Sequence, residues 1–131
     1  MNKAEMKRIR QRKEAEQAVQ LLKKEIEHIR YVGDWANGIK CSKTKFNQLM
    51  KIQFGITAKT MLKNIRLKMI QETIAEHPDL GSYAIACECG LYNERELYNF
   101  LIRNFDISFS KLKFKILLEE DFSHNQGEQN G

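Results

Sequence analysis

Proline is almost missing from this 131-residue chain, which holds only Pro78. No segment alternates apolar and polar residues over any length, so strands are excluded and helices are expected throughout. No apolar run approaches the roughly 18 residues needed to cross a bilayer, and no signal peptide opens the chain. The expectation is a soluble, cytoplasmic, all-α protein without a membrane partner, one domain or two very small ones sharing a core. Cysteine is scarce too: Cys41, Cys87 and Cys89 are odd in number and not spaced as a disulfide framework. A Cys-x-Cys pair with no nearby histidine is a poor metal site, so reduced cysteines in or near the core are expected. His28, His77 and His124 are scattered, and Glu94 and Glu96 diverge on a helix. No constellation for catalysis or a cofactor emerges.

Charge is plentiful and uneven. The net charge is +5, but nine Lys/Arg face five Glu in residues 1–30, and eight face only Asp34 between Asp34 and Lys68. From Glu72 to Asp106 the sign reverses, with seven acids against Arg95 and Arg103. A basic half beside an acidic half fits a chain in which the first half meets a polyanion.

The chain is organised around residues 57–77, TAKTMLKNIRLKMIQETIAEH, a long helix with Thr57 as N-cap and Pro78 as stop. Its apolar residues form two faces. Ala58, Met61, Leu62, Ile65 and Met69 share one, while Leu67, Ile70 and Ile74 lie roughly opposite. A helix with two dry faces needs packing on both, so it should link two small helical bundles. The flanking sequences agree, because SKTKFNQLMKIQFGIT (42–57) aligns without a gap on NERELYNFLIRNFDIS (93–108), 51 residues later. Ser42 matches Asn93 as a cap, and Phe46, Leu49, Met50 and Phe54 match Leu97, Phe100, Leu101 and Phe105. A capped amphipathic helix repeated at this distance indicates two copies of one structural unit.

In chain order, residues 1–17 read as a basic helical arm. The apolar stripe Ala15, Val19, Leu22, Ile26 and Ile29 docks the following turns on a first unit, 18–56. A short helix around 31–37 carries Trp35 as a core residue, the turn Gly38-Ile39-Lys40-Cys41 follows, and Ser42 caps the next helix. The linker helix occupies 57–77. A second unit, 78–118, repeats the plan: Ser82 caps a helix, Gly90-Leu91-Tyr92 turns, Asn93 caps the next, and a last helix runs over 110–118. The acidic, then Ser/Asn/Gln/Gly-rich tail 119–131 reads as disordered.

Three stretches, WANGIKCSKTKFNQLMKIQFGIT (35–57), RLKMIQETIAE (66–76) and IACECGLYNERELYNFLIRNFDIS (85–108), resemble the AraC/XylS-type DNA-binding domain over roughly residues 18–116. The resemblance implies two homeodomain-like, three-helical helix-turn-helix subdomains joined by a linker helix, in a small stand-alone transcription regulator, usually an activator. The link between the first and second helices looks short for the family, and the other departures fall in the second unit. The family's Ser-Pro-x-x-Tyr-Arg ending is Ser108-Phe109-Ser110-Lys111-Leu112-Lys113 here, and Asn99 and Ile102 stand where Arg and Lys are frequent.

A reading helix buries one side and offers donors and acceptors from the other. Opposite the apolar arc of the first candidate lie Thr44, Asn47, Gln48 and Lys51, flanked by Lys43 and Lys45. Asn and Gln can pair bidentately with adenine, and Thr can pack on a thymine methyl. By resemblance, Thr44, Lys45, Asn47 and Gln48 take the base-reading positions. Lys40, Ser42, Lys43, Lys51 and Lys59 are the candidate phosphate contacts. The second unit offers Arg95 for guanine, with Tyr98 and Asn99, but Glu94 and Glu96 repel phosphates. This acidic unit is therefore expected to contribute less to DNA contact, or to meet RNA polymerase or a partner regulator. A linker of about 20 residues spans roughly 30 Å, close to the ~34–36 Å between successive major grooves on one DNA face. The expectation is a monomeric or weakly dimeric, sequence-specific double-stranded-DNA binder led by its first unit. The alternative is an interaction or architectural module that keeps the fold and reads little sequence.

Overall fold

The computed structural model describes the backbone of residues 1–129 and the side chains of residues 1–119. The described residues are all-α. Seven helices run in order: α1 (Lys3–Lys24), α2 (Val32–Gly38), α3 (Lys43–Phe54), α4 (Ala58–Glu76), α5 (Ser82–Glu88), α6 (Glu94–Phe105) and α7 (Phe109–Gln129). A single 3-10 turn, Ile26–His28, follows α1, and no strand occurs among the described residues. No helix there is long and apolar enough to cross a membrane. The chain divides into two compact units, Met1–Ile65 and Arg66–Gly131, and the boundary falls inside α4.

In the first unit α1, α2 and α3 pack on one another. Ala15, Ala18 and Leu22 of α1 are buried together with Ile26 and Ile29. Val19, expected on this stripe, is only half-buried, and Ala18 takes the inward position. Two small residues on that face let Trp35 come close enough for its Nε1–H to donate to the Ala18 carbonyl at 2.8 Å. Its ring meets Phe46 edge-on, with centroids 4.5 Å apart and planes at 89°. Trp35 is thus the core residue expected, and its one polar atom is satisfied. Leu21 Cδ2 would stand only 3.0 Å from a Cβ at Gly38, so the end of α2 can lie against α1 because that position has no side chain. Asp34 starts α2 by accepting the N–H groups of Arg30 and Tyr31 at 3.2 and 3.1 Å.

The second unit buries Ile70 and Ile74 of α4, Ile85 and Ala86 of α5, Leu97 and Leu101 of α6, and Leu112 and Ile116 of α7 around Cys89. Burial pushes the Cys89 thiol up to about 11. Cys41 is half-buried, but Cys87 is exposed, against the expectation of cysteines in or near the core.

The two units share more local detail than the aligned helices alone indicate. Ala36 closes its turn by accepting from Ile39 and Cys41 at 3.2 and 3.0 Å. Ala86 does the same for Cys89 and Leu91 at 3.2 and 2.8 Å. These matches run at an offset of 50, and the helices that follow run at 51, so Tyr92 is a one-residue insertion in the second turn. Beyond those helices the plan continues: the Thr57 hydroxyl caps α4 through Thr60 N–H, and Ser108 caps α7 through Lys111 N–H, both at 3.2 Å.

Four expectations shift. Gly81, not Ser82, is the N-cap of α5, and Ser82 is its first helical residue. Met69 packs on the second unit's core with Leu67, although its helical angle grouped it with Ile65. The buried positions of α4 drift around the helix through Ala58, Leu62, Ile65, Arg66, Ile70 and Ile74 rather than forming two separate faces. Finally, α7 does not end at Leu118, since its backbone stays helical to Gln129. Residues 130–131, the end of the expected disordered tail, lie outside the described residues.

Candidate nucleic-acid interface

The polar face of α3 is built by its two ends. Ser42 accepts the Lys45 N–H at 3.2 Å to start the helix, and Gly55, at φ 74°, ends it in the left-handed region. Phe46 and Met50 are fully buried, which fixes the rotation of the helix and turns Thr44, Lys45, Gln48 and Lys51 outward, all exposed. The sequence places these four on the polar side, and they stand there.

Thr44, Asn47 and Gln48 line one open surface groove of about 620 Å³ together with Lys43, Thr57 and Lys59. Val32, on the first turn of α2, supplies an apolar wall. Residues from three segments, α2, α3 and the start of α4, therefore converge on the face predicted to read bases. Lys43 reaches it by running across α2: a Cβ on Gly33 would meet its Cε at 3.0 Å, so Gly33 leaves the channel in which that side chain lies. Lys40, Ser42 and Lys51 are exposed but are not among the residues lining the groove. Lys40 sits in the turn before α3 at φ 57°.

Asn47 also has a part in the fold. It is half-buried, and its Oδ1 accepts the Ala58 N–H at 2.9 Å. The first turn of α4 has unpaired N–H groups, and Asn47 satisfies one of them from across the unit. The Ala58 N–H thus orients the amide and ties its oxygen to the start of α4. Arg66, counted in the basic half, is likewise diverted. It is 3% exposed and donates through Nη1 to the Cys89 carbonyl at the end of α5. Its charge serves the second unit's interior rather than a basic surface.

One residue on the polar arc escaped the sequence reading. Ile52 lies one turn beyond Gln48 and is 68% exposed. Counting four residues on from Gln48 would have placed it there, as an apolar side chain among polar ones.

In the second unit Arg95 and Tyr98 are exposed, while Asn99 and Ile102 are half-buried. Glu96, in register with Lys45, is drawn back into the start of α6. Its Oε2 accepts the Tyr92 N–H at 2.7 Å, and its own N–H donates to Asn93 Oδ1 at 2.9 Å. That reciprocal cap accounts for an acid at this position and leaves Glu94 as the exposed carboxylate on the face. Among the described residues no cluster of three or more His, Cys, Asp or Glu could hold a metal.

The sequence falls into the two units with opposite charge. Fifteen Lys/Arg face six Asp/Glu in Met1–Ile65, a balance of +9, and seven face eleven in Arg66–Gly131, a balance of −4. No family model, curated protein or solved structure matches this chain.

Proposed function

We propose that the protein is a sequence-specific double-stranded-DNA-binding regulator of transcription, of the AraC/XylS helix-turn-helix type, in which α3 enters the major groove. The observation that carries the reading is the convergence of Lys43, Thr44, Gln48 and Lys59 on one groove in a unit of net charge +9. An exposed, doubly capped helix with hydroxyl and amide groups outward and lysines at its margins has the parts that base and phosphate recognition require. Gln48 is the base reader through its amide, Thr44 and Ile52 pack on thymine methyl groups, and Lys43, Lys51 and Lys59 neutralise phosphates.

The test is selection of bound sequences from a random duplex pool by the full chain, followed by Gln48→Ala on the selected site. An enriched motif is expected, and the variant should lose on the order of 1–3 kcal/mol at that site while binding unselected duplex as before. A pool that emerges unenriched would refute sequence reading and favour the architectural alternative.

A further inference from the structure

We propose that the outer face of α7 is a self-association surface on which a second copy of the chain docks its own α7 antiparallel. Leu112 and Ile116 turn inward and are buried, yet Phe114 and Leu118 stand one turn apart on the other side, 70% and 57% exposed. Tyr31, Tyr83, Tyr92 and Tyr98, exposed elsewhere, each carry a hydroxyl that water can satisfy. Phe114 and Leu118 carry none, and together they make an apolar ridge along the helix.

Charge along α7 identifies the occupant. Exposed Lys111 and Lys115 flank the ridge at its N-terminal end, and exposed Glu119 stands at the other, opening the sequence run Glu119-Glu120-Asp121. One helix therefore carries exposed lysines at its start and an exposed acid, Glu119, beyond Leu118. An antiparallel copy seats Phe114 of each chain on Leu118 of the other and brings each lysine end beside the other's acidic end. A parallel copy would set lysine on lysine and acid on acid. The pattern is self-complementary in one orientation, as an isologous twofold contact requires. A single helix pair is a small interface, so the dimer is reversible and weakens with salt.

Sedimentation velocity of the full chain over a concentration series tests this without DNA. The weight-average mass should rise from 15.4 kDa towards twice that value. Phe114→Glu should hold it at the monomer value throughout, and Leu118→Glu should do the same. Because both positions are exposed, circular dichroism of each variant should match the parent. The Lys111→Glu/Lys115→Glu chain reads the orientation. Antiparallel packing turns its attraction into repulsion and weakens the dimer by about tenfold. Parallel packing exchanges one repulsion for another and leaves affinity unchanged. A chain that stays monomeric, a dimer that survives both apolar substitutions, or an unchanged affinity in the lysine variant would each overturn the proposal.

Discussion

At the scale of single residues, the same side-chain chemistry can serve a ligand or the fold, and Asn47 and Gln48 divide on this point. They are adjacent, both amides, and both line the groove. Asn47 is oriented by the free N–H of Ala58, whereas Gln48 is exposed. Asn47→Ala should therefore behave as the loss of a helix cap. A destabilisation of about 1 kcal/mol is expected from the urea midpoint, with the selected DNA motif unchanged at every base pair. If the variant kept full stability and relaxed one base pair, Asn47 would be a reader and its bond to Ala58 incidental. The sequence showed which side of α3 is polar, because a 100° rotation per residue needs only Phe46 and Met50 as inward markers. It could not show Asn47's partner, which lies eleven positions away and meets it only once α3 and α4 have folded together. Arg66 is a similar case: a basic residue in a basic stretch reads as surface until the carbonyl at the end of α5 claims it.

Helical elements were the most legible part, and for a local reason. Ser42, Thr57 and Asn93 each satisfy an N–H three residues on, so the cap and its acceptor are visible within four consecutive letters. Harder to see was the phase change in the repeat. Tyr92 adds one residue to the second turn, so an alignment anchored on the longer helices loses the match between Ala36 and Ala86. The end of α7 was also missed, since polar composition argues against packing but does not forbid helix. The helix ends carry a testable asymmetry. Gly55 leaves α3 at φ 74°, and Asp106 leaves α6 at φ 51°. A Cβ at Gly55 would meet nothing within 4 Å, so any cost of a side chain there comes from the backbone alone. Gly55→Ala should cost about 1–2 kcal/mol, and Gly55→Asp should cost less, because Asp already takes that conformation in the second unit. Urea midpoints of the two variants decide it, and equal midpoints would mean the conformation at this position is not what holds the helix end.

For the whole molecule the proposed function raises the question of which unit meets the polyanion, and salt answers it. Each phosphate neutralised on binding releases condensed counterions, steepening the fall of log K with log salt by roughly 0.9 per contact. The first unit carries +9 and the second −4. Lys43, Lys51 and Lys59 are the proposed phosphate contacts of the first, whereas in the second Glu94, exposed beside Arg95, would oppose one. Replacing all three lysines with alanine should flatten the slope by about three, and Arg95→Ala/Arg103→Ala should leave it within about half a unit of the parent. Glu94→Gln gives the complementary reading, since removing a carboxylate near a phosphate strengthens binding and removing one that faces only water does not. Binding isotherms on one duplex at several salt concentrations supply every slope. If the arginine pair flattened the slope and the lysine triple did not, the assignment of the units would be reversed, and the charge division of the sequence would mark an acidic unit that holds DNA through two cations.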